Sequence, residues 1–309
     1  MNSTSTLETP AERPANDALP IWIVFAFVGL IWWPAMSRFS IEWSVNAQYH
    51  YGWSVPFLSA YLLFERYASR PVLRPPAVRW PVLLLMLLFA LPQFPLRVIG
   101  EPNTDWRMIS WVMAGVSIAL TFCVFYLYGG WKWLFHFAFP ILFLATSIPW
   151  PSSVESFLVQ GMMRINAIVA AEFVSFCGVP ALAMGNVIQL PNGVLGVDEA
   201  CSGIRSLQST LMASLFLGEL YRLKAFTRVL LVAIGVGIAF FLNVVRTSFL
   251  TWQGAFNGIE ATDEWHDTAG FTILGGVLVC LFVISMILER CERKAAERKR
   301  EAIAKASPQ

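Results

Sequence analysis

The chain has 309 residues, of which 57% are hydrophobic, 14% aromatic and only 14% charged, with a formal net charge of +2. Soluble domains carry about 25% charged residues, and a mean hydropathy of +0.60 excludes disorder, a collagen-like repeat, a coiled coil and a soluble cytosolic enzyme. What remains is an all-α polytopic membrane protein, in which the placement of the charges tells more than their sum.

Residues 1–20 are polar, rich in Ser, Thr and Pro, and lack the positive start of a signal peptide; they read as a flexible cytoplasmic tail. A bilayer crossing takes about 20 apolar residues. Segment 21–37 is uncharged and somewhat short. Segment 53–64 is shorter still and must borrow residues upstream. Segment 80–96 is uncharged, 108–128 is long and clean, and 133–149 is apolar apart from His136. Residues 152–178 are apolar overall but hold Glu155, Arg164 and Glu172. There Ser156, Gln160, Arg164 and Glu172 share one helical face. This segment is either an amphipathic helix lying at the outer interface or a span whose polar face lines a cavity. The first reading is preferred, because an extra full crossing would carry the chain after it to the other side. Residues 185–199 read as a non-helical outer loop with a small hairpin, 187–190 against 194–197, turning at Asn192-Gly193. Three more spans follow. Segment 200–217 has Arg205 near its start, 229–250 has Arg246 near its end, and 268–288 is uncharged. About eight helices therefore build one polytopic catalytic domain over residues 21–288, followed by a basic tail, 289–309.

Lys and Arg in short loops mark the cytoplasmic side. Segment 65–80 holds Arg66, Arg70, Arg74 and Arg79. Segment 221–228 holds Arg222, Lys224 and Arg228. The tail carries seven Lys or Arg against four Glu. Segment 251–267 holds Glu260, Asp263, Glu264 and Asp267 and no Lys or Arg, so it belongs outside. Eight spans satisfy all of these and put both termini inside, in the inner membrane.

Ionisable residues at the membrane edge are functional candidates, and three fall on the outer side. Cys201 opens a helix in Glu199-Ala200-Cys201-Ser202-Gly203-Ile204-Arg205. Arg246 ends a span in Asn243-Val244-Val245-Arg246. His266 stands just before the last span, beside Asp267. Thiol acyl transfer suits this set. A helix start and Arg205 lower a thiol pKa. A histidine serves as base and then acid, and an arginine holds an oxyanion. Glu199 or Asp267 can orient Arg205 or His266. The set is expected to converge on a groove wide enough for a peptide. The plainer readings are a buried apolar cysteine, a snorkelling arginine and a hydrogen-bonded surface histidine. Cys123, Cys177, Cys280 and Cys291 take the first of these. No cysteine pair or histidine cluster has metal spacing, and no cofactor or nucleic-acid partner is expected.

Glu199-Ala200-Cys201-Ser202-Gly203-Ile204-Arg205-Ser206-Leu207 resembles the signature of the exosortase/archaeosortase family. Residues 140–151, ending in Ile148-Pro149-Trp150-Pro151, resemble its span closing in an I-P-x-P turn. Asn243 to Arg246 matches its N-x-x-R element, and His266 with Gly270 its last element. Tyr49-His50-Tyr51-Gly52 is similar to its second-span region, with Tyr51 where a histidine is expected before the glycine. The resemblance implies an eight-span membrane cysteine protease or transpeptidase. It implies substrates that are membrane-anchored proteins with a C-terminal signal: a short motif such as Pro-Glu-Pro, a transmembrane helix and a basic cluster. It assigns Cys201 as nucleophile, Arg246 and His266 as its partners, and Arg205 a supporting place. The acceptor is water or an unidentified amine. From the residues alone, a transporter or lipid-linked sugar flippase, or an inactive scaffold, stays open as the alternative.

Overall fold

The computed structural model describes residues 19–197 and 201–306, apart from the side chains of Asp263 and 304–306. Helix α1 spans Ile21–Val45. A 3-10 segment, Ala47–Ser54, leads directly into α2, Val55–Tyr67, and supplies the upstream residues that this short span needed. Helices α3, Trp80–Ala90, and α4, Gln93–Gly100, meet at Pro92. Helices α5, Arg107–Gly129, and α6, Trp131–Phe143, follow. Helix α6 passes into a 3-10 turn, Leu144–Ser147, ahead of Pro149 and Pro151, which cannot continue a helix. Then come α7, Ser152–Phe176, the strands β1, Leu182–Met184, β2, Val187–Leu190, and β3, Gly193–Gly196, and the helices α8, Ile204–Leu220, α9, Ala225–Asn257, and α10, Glu260–Ala306. Among the described residues, six helices are long and apolar enough to cross a bilayer: α1, α5, α7, α9, α10 and the α3–α4 pair.

Between apolar helices in lipid, packing and hydrogen bonds replace the hydrophobic effect as the glue. One core joins α1, α2, α5 and α6, with Phe39, Trp43, Phe125, Trp133 and Phe137 fully buried. Its tryptophans find acceptors: Trp43 donates to the Ser147 carbonyl at 2.8 Å and Trp32 to Thr121 at 3.1 Å, which a buried indole N–H requires. A second core joins α7, the small sheet, Cys201 and α9. There Ala167, Ala170 and Ala171 let α7 lie close to its neighbours.

The bundle has two distinct ends. At one, Glu219 at the end of α8 pairs with Arg66 at the end of α2 and with Arg228 in the first turn of α9, at 2.8 Å. Leu19 meets Tyr128 there, and Lys224 meets Glu292 of α10. The three basic segments and both ends of the described chain thus gather together. The start of α8 and the far ends of α1 and α9 lie at the other end. Helix α7 begins there, with Glu155 against Arg107. It also finishes there, because Asn192 of the sheet that follows donates to the Gly254 carbonyl of α9 at 2.8 Å. It does not run from one end to the other, although its length and hydropathy alone would let it cross. The face bearing Ser156, Gln160, Arg164 and Glu172 is exposed.

Several boundaries differ from the sequence reading. The sheet is a three-stranded antiparallel meander, and Leu190 pairs with Gly193, so the β2–β3 turn is Pro191-Asn192, one residue earlier than expected. Most of the acidic segment 251–267 is helix, because α9 continues to Asn257 and α10 starts at Glu260. Of the four cysteines expected to be buried, Cys123 is; Cys177, Cys280 and Cys291 are exposed, because they fall on outward faces of the helices or beyond them.

Candidate active site

Cys201 stands in a turn just ahead of α8, not at the first helical position; α8 begins at Ile204 with Gly203 as its N-cap. Gly203 has φ +88°, a left-handed conformation that breaks the helix before Cys201 can join it. A side chain there would also collide with α9, since an added Cβ would lie 2.5 Å from the Asn243 amide carbon. That close approach lets Asn243 Nδ2 donate to the carbonyls of Cys201 at 3.1 Å and Ser202 at 3.0 Å. Asn166 of α7 donates to the same two oxygens, at 3.4 and 3.2 Å. Cys201 is 9% exposed and belongs to the core of α7 and α9.

One turn beyond Asn243, and so on the same side of α9, stands Arg246, 7% exposed. Its Nη2 lies 3.1 Å from Nε2 of His266 and 3.2 Å from the His266 carbonyl. Because a guanidinium only donates, Nε2 must accept. The other ring nitrogen, Nδ1, faces Asp267 Oδ1 at 3.1 Å, where it can donate. The Asp267 carboxylate is 89% exposed, so it orients the ring more than it charges it. Gly270, one turn on from His266, packs beside the guanidinium, where an added Cβ would make ordinary van der Waals contact with Nη2 at 3.4 Å.

Gly203, Arg205, Asn243, Arg246, His266 and Asp267 border one cavity of about 80 Å³. At roughly 10–15 Å³ per water, that is room for a handful of waters and not for a peptide. Cys201 lies behind this lining, two residues from Gly203. The structure therefore brings Arg246, His266, Asp267 and Asn243 together, with Arg205 exposed at the rim. The expected peptide-wide groove is not formed at this cavity. His266 sits on α10 itself and not in a loop before it. Glu199 lies outside the described residues.

A family model for transmembrane exosortases matches residues 43–283. The chain belongs to the transmembrane exosortase family. The matched region runs from the end of α1 well into α10, so the exosortase unit includes every site residue named above as well as α7 and the sheet. Its multi-pass membrane character follows from the family and from the apolar helices together. Neither the curated proteins nor the solved structures contain a match.

Two features of this exosortase escape the sequence motifs. One is Asn166. The other is a buried polar cluster beneath the site. The Tyr49 hydroxyl accepts from the Trp150 N–H at 2.9 Å and Gln208 Nε2 at 3.4 Å, and donates to Glu155 at 2.5 Å. Arg107 pairs with Glu155 and, at 3.3 Å, with Glu42. The available signal was spacing: Glu155 and Asn166, three turns apart, share a stripe with Val159, Met162 and Ala170, opposite the polar face that the sequence makes conspicuous.

Proposed function

We propose that this chain is a membrane-embedded cysteine protease or transpeptidase that processes the C-terminal sorting signal of exported, membrane-anchored proteins. Membership of the transmembrane exosortase family supports the class of activity. The observation that carries the chemistry is the contact of Arg246 with His266, one turn along α9 from the asparagine that holds the Cys201 backbone.

In this reading Sγ of Cys201 attacks the scissile carbonyl carbon and its proton passes to His266 Nε2. Arg246 must leave Nε2 for that to happen, and its donors then serve the oxygen that becomes negative. The protonated ring gives its proton to the departing amine, and the thioester is resolved by water or by an acceptor amine. Asp267 holds the ring in the tautomer that leaves Nε2 available. The basic end is cytoplasmic, by the distribution of Lys and Arg. The site then faces outward from the inner membrane, with both termini inside.

The decisive comparison is the ratio of full-length to cleaved substrate in cells carrying each variant. Cys201→Ala should abolish processing while leaving the protein inserted. Cys201→Ser should be nearly inactive, since a hydroxyl is far less ionised than a thiol near neutral pH. A transporter predicts a silent Cys201→Ala, and normal processing by that variant would end the nucleophile reading.

A further inference from the structure

We infer that Asn166 is a positioning residue for the thiol of Cys201, contributed by a helix that carries none of the motif residues. The inference rests on the reading of Cys201 as nucleophile. Asn166 is fully buried, and its Nδ2 donates to both the Cys201 and the Ser202 carbonyls, the pair that Asn243 holds from α9. Two amides from two helices thus fix two successive peptide units. These carbonyls belong to the two peptide planes on either side of Ser202, and a trans peptide plane carries both of its Cα atoms, so the amides hold the backbone leaving Cys201 and the position of the Cys201 Cα from which its thiol projects.

The amide orientation is itself determined. Exchanging Oδ1 and Nδ2 would set an oxygen against two carbonyl oxygens, so the nitrogen must face them. That leaves Asn166 Oδ1 buried with no hydrogen-bond partner among the described residues. An unmade bond of this kind costs about 1–3 kcal/mol. An apolar residue of similar volume would remove that penalty, on a helix face whose other buried members, Glu155 apart, are Val, Met and Ala. A buried polar group with one bond unmade calls for an explanation, and the two carbonyls that its nitrogen holds supply one. Asn166 also explains why α7 belongs to the site end: its midpoint meets the backbone at the nucleophile while its two ends hold to α5 and to the sheet.

The test uses the purified full-length chain in detergent, with Cys123, Cys177, Cys280 and Cys291 replaced by alanine. Iodoacetamide then reads the Cys201 thiol alone, with its rate followed against pH. Asn166→Leu should leave the thermal unfolding temperature at or above the parent's, yet change the alkylation rate by on the order of tenfold and shift its pH profile. In cells it should slow processing by roughly 10²-fold, the scale of an ångström-sized misplacement. Asn166→Gln, which keeps the donor on a longer arm, should recover part of both. An Asn166→Leu chain with the parent's alkylation rate, pH profile and processing overturns the inference. Should that variant fail to accumulate, Asn166→Ser removes the amide at small volume and is judged on the same readouts; parental values there overturn it equally. Alkylation needs no substrate. If Cys201→Ala left processing intact, the proposed function would fall, and the alkylation rates would still decide the role of Asn166 in setting the thiol.

Discussion

Arg246 and His266 touch, and two groups in contact should not lose activity independently. Removing an acid/base side chain costs roughly 10²–10⁴-fold, and removing an oxyanion donor roughly 10²–10³-fold. Were the two independent, the double variant would lose about 10⁴–10⁷-fold. In the structure one guanidinium nitrogen reaches both the ring, at 3.1 Å, and the carbonyl, at 3.2 Å, of His266. Without Arg246 the ring keeps only Asp267 to orient it. Without His266 the guanidinium loses one of the groups that hold it beside the cavity. Contacting residues show coupling of about 0.5–3 kcal/mol, and two charge-assisted contacts put this pair in the upper half of that range, or roughly 10–10² in rate. The double alanine variant should therefore fall about that much less than the product of the singles. The measurement is the cleaved fraction of a matched substrate over time for Arg246→Ala, His266→Ala and the pair, with Cys201→Ala as the zero. Losses that multiply in full would refute the coupled arrangement and return Arg246 to a headgroup-facing role.

Gly203→Ala should lose both activity and stability, since it combines about 1–2 kcal/mol of left-handed strain with the collision against Asn243; adding Asn243→Ala should relieve the collision alone, and a fully stable Gly203→Ala chain would contradict the backbone geometry. A cysteine placed at Asn192, in a chain with all five native cysteines replaced by alanine, should react with an impermeant reagent on intact cells, and labelling only after lysis would reverse the topology. Glu155→Ala should destabilise the protein by about 3–5 kcal/mol, the scale for breaking a buried ion pair, with Glu155→Gln milder; thermal unfolding in detergent reads both, and a neutral Glu155→Ala would mean that the cluster around Tyr49 is dispensable to folding.

Much of this was legible from local signals. The clean span expected over 108–128 became Arg107–Gly129, bounded by a charge at one side and by Gly129-Gly130 at the other. The gathering of basic segments at one end followed from counting Lys and Arg in short loops. Asn243, Arg246 and His266, singled out by motif order, border one cavity, while Cys201 lies behind its lining. What failed did so for long-range reasons. Hydropathy falls where a helix leaves the bilayer, so the polar extensions of α9 and α10 read as a loop although the backbone continues as helix through all but a short break near Gly258. The exposed polar face of α7 drew attention because charges are conspicuous, whereas Asn166 and Glu155 matter through partners 35 to 107 positions away. Such pairs have no local period. Cysteine burial failed similarly: an outward helix face in a membrane protein is as apolar as its core, so composition cannot tell Cys280 from Cys123.

Helix α10 joins the two ends of the molecule as one rod of 47 residues, about 70 Å at 1.5 Å per residue. His266 lies in its second turn. Roughly 39 Å further along, Glu292 accepts the Lys224 N–H at 3.2 Å and the Thr227 hydroxyl, fastening the rod to the first turn of α9. That anchor fixes the phase of the whole shaft. Inserting a single residue anywhere between would turn His266 by about 100° and advance it by about 1.5 Å relative to Glu292, which is enough to aim the imidazole away from α9. The aim of the ring at one face of the membrane is thus indexed from the other face, like a key whose bit is set by the angle of its bow.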